Sequence, residues 1–286
     1  MIKLPYKSRV FRNYKPLKYL SDKEECRINN RFIYKYLPCF YLDSLFSKGL
    51  RFCKPDTWLD RGEKRFYEAD YCSIKENFVR PVLFATCFTK NKNSEASWKV
   101  YNNYSIGPET ADKRSIANDC RMVQLKINRA KLRRELANYC KTKKDSVLGI
   151  YEGEVCYIPT HTYLNCHLPG INGAKSLHNS LFGNDDFNLD NYLSVCLMKR
   201  KEFFEYEQEL RYFLILNKEE SRNEYFVKFD IRNIIEHIYL WNADSSDLIS
   251  TKDCKCVADE YGISSELVEP ADLYLYGSES RIHVMK

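Results

Sequence analysis

Apolar residues in this chain come in short runs. The stretch Pro81-Val-Leu-Phe-Ala-Thr-Cys-Phe88 is near-continuous, and Leu210-Arg-Tyr-Phe-Leu-Ile-Leu216 is broken by a single charge. Seven or eight residues suit one buried strand. They fall far short of the roughly 18 that a membrane-crossing helix needs. The chain must therefore build its core from many small pieces, and no membrane partner is expected. Material for that core is ample: 44% of the 286 residues are hydrophobic and 14% are aromatic, which excludes a disordered chain.

The pieces alternate in type. Arg31 to Tyr36, Leu50 to Cys53 and Pro81 to Phe88 read as strands, rich in β-branched and aromatic residues. Leu42, Leu45 and Phe46 recur at helical spacing, with Gly49 at the position of a C-terminal cap. Residues 56–80 read as a loop running into a helix, and Ser97 to Tyr101 as helical. Val123, Leu125 and Ile127 alternate with Gln124 and Lys126, which predicts a strand with one wet face. Asn128 can cap a helix running through Cys140. Further strands are expected at 154–158, 210–216, 225–229, 238–241 and 273–276, and a helix from Leu193. Ser250 starts another helix whose apolar face is Cys254, Val257, Ala258 and Tyr261, closed by Gly262. Strands and helices mix without strict βαβ alternation, so the fold class expected is α+β. No repeat or Pro/Gly/Ser linker interrupts the chain. One domain over 31–286 is expected, preceded by a basic arm (1–30) and carrying a long loop or insertion over 159–190.

Charge and cysteine content narrow the chemistry only a little. The net charge is +6, and the excess clusters. The first 21 residues hold six Lys/Arg and no acid, and residues 121–144 hold nine against Glu135 alone. These runs read first as solvated faces and second as surfaces for phosphates, hence for nucleic acid. The 12 cysteines are scattered with no CxxC pair, and no apolar leader follows the basic N-terminus. A cytoplasmic protein with reduced, mostly buried thiols is expected. Cys156, His161, Cys166 and His167 share one stretch, but adjacent residues such as Cys166 and His167 do not suit one ion, so no metal is expected.

No phosphate loop, dinucleotide fingerprint, GxSxG or HExxH motif is present. The feature that carries chemistry is Glu205-Tyr-Glu-Gln-Glu209, just before the strand at 210–216. In an extended chain Glu207 and Glu209 share a face. Like charges so close need cations beside them or a raised pKa, and Lys199, Arg200, Lys201 and Arg211 are near in sequence. The plain reading is a solvated charged turn. The chemical reading is glycosyl transfer, in which one carboxylate steadies an oxocarbenium-like ring and a second handles a proton.

Several segments resemble the bacterial family called domain of unknown function 2971. They are Tyr34-Lys-Tyr36, Leu50 to Pro55, Trp58-Leu-Asp-Arg-Gly-Glu63, Cys87-Phe-Thr89, Ser97 to Tyr101 with Gly107, and Lys199 with Glu207-Gln-Glu-Leu-Arg211. The resemblance spans roughly residues 30–275 in matching order. Arg61-Gly62 replaces the family's usual proline region, and 108–120 looks inserted. The layout also resembles a degenerate ADP-ribosyltransferase, whose third motif is a Glu-x-Glu opening a late strand. This resemblance implies a split, bent mixed β core with peripheral helices, gripping NAD as substrate. It implies that Glu209 binds the nicotinamide-ribose 2′-hydroxyl and that Glu207 orients or deprotonates the acceptor. Tyr34, Lys35 and Tyr36 would line the NAD pocket. Thr89 or Tyr101 would stand for the second motif, and Tyr101 or Trp98 would stack on nicotinamide. No Arg or His occupies the first-motif place. Core packing is the plain alternative for Trp58, Trp98 and Tyr101, and a solvent-facing position for Lys35. The functions implied are an NAD-dependent transferase or toxin, with a role in phage defence and a nucleic-acid or protein acceptor. A nucleic-acid-binding protein and a non-enzymatic interaction module are the alternatives.

Overall fold

In the computed structural model, residues 15–16, 31–58, 60–68, 79–92, 97–98, 122–160, 189–218, 220–241 and 249–271 are described. Their elements run in chain order as strand β1 (Lys15–Pro16), β2 (Phe32–Pro38), helix α1 (Tyr41–Lys48), β3 (Leu50–Cys53), α2 (Arg61–Glu68), β4 (Val82–Thr89) and β5 (Met122–Asn128). Next come α3 (Arg129–Thr142), β6 (Val147–Glu154), β7 (Cys156–Ile158), α4 (Leu189–Val195), β8 (Met198–Arg200) and α5 (Lys201–Phe204). The last are β9 (Glu209–Leu216), β10 (Glu224–Val227), β11 (Ile235–Trp241), α6 (Thr251–Tyr261) and β12 (Val268–Pro270). The class is α+β. Pairing is mostly antiparallel, and no barrel closes among the described residues. No helix among them is long and apolar enough to cross a membrane.

The chain forms two compact units, each assembled from three separate stretches. The first takes residues 1–22, 51–87 and 133–227, and the second takes 23–50, 88–132 and 228–286. Because each unit is interleaved with the other along the chain, no single linker marks the division.

In the first unit β9 is buried along its whole length, as its apolar sequence requires. It pairs antiparallel with β6, which in turn pairs with β1. β3 pairs with β4 through Cys53 and Ala85. A core of Tyr67, Leu83, Tyr192, Leu197, Phe213 and Ile215 packs beside these strands. β7 and β8 form a separate parallel pair that sets Tyr157 opposite Lys199. Gly153 of β6 faces Arg211 across the ladder, and a Cβ there would lie 2.3 Å from Leu197 Cδ1. That is too close for any side chain. Gly153→Ala is therefore expected to destabilise the fold by about 1–3 kcal/mol through overpacking, read as a lowered Tm.

In the second unit β5 pairs antiparallel with both β2 and β11, and β12 joins β11 in parallel. Tyr36, Trp98, Met122 and Tyr239 form a small core here. α1 ends at Gly49, whose φ of 100° an L side chain rarely adopts. α6 is capped as its sequence predicts: Ser250 and Asp253 bond reciprocally, and Gly262 turns left-handed at φ 61°. Asn128 Oδ1 accepts from Lys131 N at 3.2 Å, the expected cap of α3.

Three expectations change. The face of β5 predicted to be wet is only partly so: Lys126 is half-buried and Gln124 is buried, its amide donating to the Lys92 carbonyl, which makes burial of a polar side chain tolerable. β6 and β12 are strands the pattern missed, and β11 starts at Ile235 rather than Ile238. The strand expected at 273–276, Tyr101, nearly all of the basic arm and residues 161–188 of the long loop lie outside the described residues.

Candidate functional site

The acidic triplet does not enter β9 as an extended strand. Lys201–Phe204 form one helical turn, Glu205–Glu207 a 3-10 turn, and Gln208 is left-handed at φ 43° before β9 begins at Glu209. The chain thus leaves Lys199, makes a short arch, and returns beside it. Glu207 and Glu209 converge because the arch closes on one lysine, not because alternate strand residues share a face.

The convergence is tight. Lys199 Nζ lies 2.5 Å from Glu207 Oε2, 3.1 Å from Glu209 Oε2 and 3.3 Å from Glu63 Oε1. Arg211 donates from Nε to Glu209 Oε1 at 2.7 Å and from Nη2 to Glu209 Oε2 at 2.8 Å. The same Nη2 donates to Glu63 Oε1 at 3.0 Å, and Nη1 to the Cys196 carbonyl at 2.8 Å. The indole of Trp58 covers the guanidinium at 4.5 Å. The Glu209 N–H donates to the Tyr157 hydroxyl at 2.8 Å, and the Cys87 thiol hydrogen-bonds the Glu209 carboxylate. Glu63 sits in the first turn of α2, where the Gly62 N–H bonds Asp60 Oδ1 at 2.7 Å. Three carboxylates thus face two cations in a nearly dry site. Of the three carboxylates Glu207 alone, at 20% side-chain exposure, reaches the rim.

This arrangement drives the two carboxylates of the Glu-x-Glu apart. Burial opposes ionisation of Glu209, but Arg211 and Lys199 overcome it and hold that carboxyl well below the ordinary range. For Glu207 burial prevails over the Lys199 ammonium, and Glu209 adds repulsion, so its pKa is raised. Burial lowers the Lys199 pKa, but Glu209 and Glu63 outweigh it and raise the value overall. Burial also pushes the Cys196 thiol up to about 12, so that thiol is inert.

Acid sensitivity follows with a definite sign. The stabilisation from ionised Glu209 is whole above its unfolded pKa near 4.5 and disappears as pH falls through its lower folded value. Lys199 contributes fully below its unfolded value near 10.5 and loses that as pH rises through its raised folded value. Glu207 acts the other way: its penalty grows as pH rises from about 4.5 through its raised folded pKa and stays in full above it. Thermal unfolding followed against pH should show the Glu209 contribution being lost below about pH 4.5. In Glu209→Gln that acid edge should flatten.

The other predicted residues belong to the second unit. Tyr34 is buried and pairs with Thr89, whose Oγ1 accepts from Asn91 N at 2.9 Å. Tyr36 donates its hydroxyl to the Lys92 carbonyl at 2.9 Å. The ring of Trp98 meets Tyr36 edge-on at 4.9 Å and Trp241 at 5.3 Å, and it is almost fully buried. These are core contacts, and a ring stacking on Trp98 would have to displace Tyr36 or Trp241. Lys35 is half-buried, its ammonium 4.9 Å from the Phe88 ring. In the basic run, Lys131 pairs with Glu236 at 2.9 Å and Arg133 approaches Glu152 at 3.6 Å, while Lys143 and Lys144 are exposed.

Sequence reasoning placed Lys199 and Arg211 beside the acids but gave no role to Glu63 or Tyr157. Glu63 was legible only as the end of Trp58 to Glu63, one of the segments carrying the family resemblance. Trp58, Glu63, Cys87, Lys199, Glu207, Glu209 and Arg211 come from three such segments, and all meet in this one cluster. No His/Cys/Asp/Glu group among the described residues is arranged to hold a metal ion. No protein-family model, curated protein or solved structure matches the chain.

Proposed function

We propose that the chain is an ADP-ribosyltransferase-like enzyme that cleaves NAD at its nicotinamide–ribose bond, with Glu207 as its acid–base group and Glu209 as the fixed negative charge beside it. The observation that carries this reading is the splitting of the pair. Two carboxylates share one ammonium, yet one is held ionised in a dry site while the other stands at the rim and takes a proton readily. Environments that push two titratable groups apart divide the acid and base work between them. NAD enters through the resemblance, as do the split, bent core and an acceptor that is nucleic acid or protein in a cytoplasmic toxin or phage-defence setting.

In this scheme the C1′–N bond of the nicotinamide ribose breaks and its electron pair leaves with nicotinamide. The ring left behind carries oxocarbenium character. Both oxygens of Glu209 accept from Arg211 or Lys199, so a 2′-hydroxyl would share the carboxylate with those donors. The part of Glu209 is to hold Arg211 and Lys199 in place and to keep negative charge beside the reacting ring. Glu207 accepts the proton of the attacking acceptor as the new bond to C1′ forms. An interaction module would display both acids on its surface, whereas Glu209 is buried.

The test is incubation of the chain with NAD, alone and with a panel of protein and nucleic-acid acceptors, followed by measurement of free nicotinamide. Release above the spontaneous rate is expected. No nicotinamide under any of these conditions would remove the reading.

A further inference from the structure

The arch at 201–208 has an outer tie, Glu202 accepting from the Thr160 N–H at 2.8 Å and the Thr160 hydroxyl at 2.6 Å, and an inner one. Six of its eight residues are exposed; Phe204 and Glu207 are the two that turn inward. Both arrive at the same atom. Lys199 Nζ lies 2.5 Å from Glu207 Oε2 and 4.5 Å from the centre of the Phe204 ring. Glu209 and Glu63 approach the other sides of the ammonium at 3.1 and 3.3 Å. An ammonium has three protons, and three carboxylates surround it, with an aromatic face over the remainder. The lysine backbone is fixed in turn by the parallel pairing of β8 with β7, where Lys199 lies opposite Tyr157.

We infer that Lys199 is the positioning residue of this site: it ties the 201–208 arch down and so sets where the Glu207 carboxylate stands against Glu209. The inference rests on the proposed role of Glu207 as the acid–base group. A compact point charge with three rotatable donors suits this task. A guanidinium presents its donors in one plane and is a poorer match to three carboxylates converging on a single point. Lys199 itself has no lone pair to offer while it is charged, so its effect passes through Glu207. The charged and titratable groups facing Glu207 are Lys199 from β8, Glu209 from β9, Glu63 from α2 and the Tyr157 hydroxyl from β7. Lys199 is the cation that bonds Glu207 directly.

The test uses the full chain as wild type, Lys199→Met, Lys199→Arg and Glu207→Gln. Carboxyl carbon NMR follows the titration of Glu207, assigned by its disappearance in Glu207→Gln. Lys199→Met should move that titration upward by about one unit or more, a tenfold change in proton affinity. Lys199→Arg should keep the titration close to wild type yet lower kcat for nicotinamide release with KM unchanged, because charge survives and geometry does not. A folded Lys199→Met in which Glu207 titrates unchanged overturns the inference. Should Lys199→Met not fold, nitrogen NMR of the lysine ammonium groups reads the same contact. One slowly exchanging ammonium is expected, and it should shift in Glu207→Gln; no shift overturns the inference. Nicotinamide release in the same samples separates the two ideas. A coupled Glu207 in a chain that cleaves no NAD removes the reading beneath the inference. An uncoupled Glu207 in a chain that does cleave NAD overturns the inference alone.

Discussion

Arg211→Met is expected to lower the unfolding free energy by about 3–5 kcal/mol, the range seen when one partner of a buried ion pair is removed. The side chain is only 1% exposed and makes four hydrogen bonds, two to Glu209, one to Glu63 and one to the Cys196 carbonyl. Methionine fills much of the same space under Trp58, so the loss is electrostatic and not a cavity. It strands two buried carboxylates with Lys199 as their remaining cation and orphans a backbone carbonyl. Arg211→Lys should fall between wild type and methionine, because an ammonium supplies the charge but cannot bond both oxygens of Glu209 side by side. Denaturant unfolding followed by circular dichroism measures all three. A loss under about 1 kcal/mol for Arg211→Met would mean that water reaches the cluster and screens it.

Glu207→Gln and Glu209→Gln should fail in different ways. Glu207 stands at the rim with a raised pKa, so a neutral amide there disturbs folding little. If it handles the proton, nicotinamide release should fall by about 10²–10⁴-fold, the usual worth of a general acid or base. Glu209 is the opposite case. Its removal leaves Arg211 and Lys199 facing only Glu63 and Glu207, and stability should fall by about 3 kcal/mol or more. Activity in Glu209→Gln should then fall together with stability. Paired unfolding curves and nicotinamide assays distinguish the two. A Glu207→Gln chain with full activity would take the acid–base role away from the arch.

The α+β class and most elements were legible because they rest on local signals. The apolar run of β9, the periodicity of α1 and α6, and the caps at Asn128 and Ser250 each act within a few residues. β6 was not legible: Val147–Glu154 carries two glycines, one at a register shift and one pressed against Leu197, so its strand character comes from pairing with β9 and not from its own propensity. The wet face predicted for β5 failed in part for a similar reason, since the Lys92 carbonyl that satisfies Gln124 is 32 residues away. The site divides along the same line. Glu207, Glu209, Lys199 and Arg211 lie close in sequence and could be seen together. Glu63 lies 148 residues from Arg211, and only the fold unites them. The route by which the two acids meet was also hidden, because a left-handed glutamine leaves no pattern in a polar turn.

The alternation of the two units along the polypeptide has a practical side. Any truncation that keeps one unit whole also carries pieces of the other, because stretches of both alternate from the first segment to the last. Neither unit can be subcloned as a contiguous fragment free of the other, and a protease nick at any of the three inner crossovers would sever both. Work on the acid cluster must therefore proceed by point substitution in the intact polypeptide.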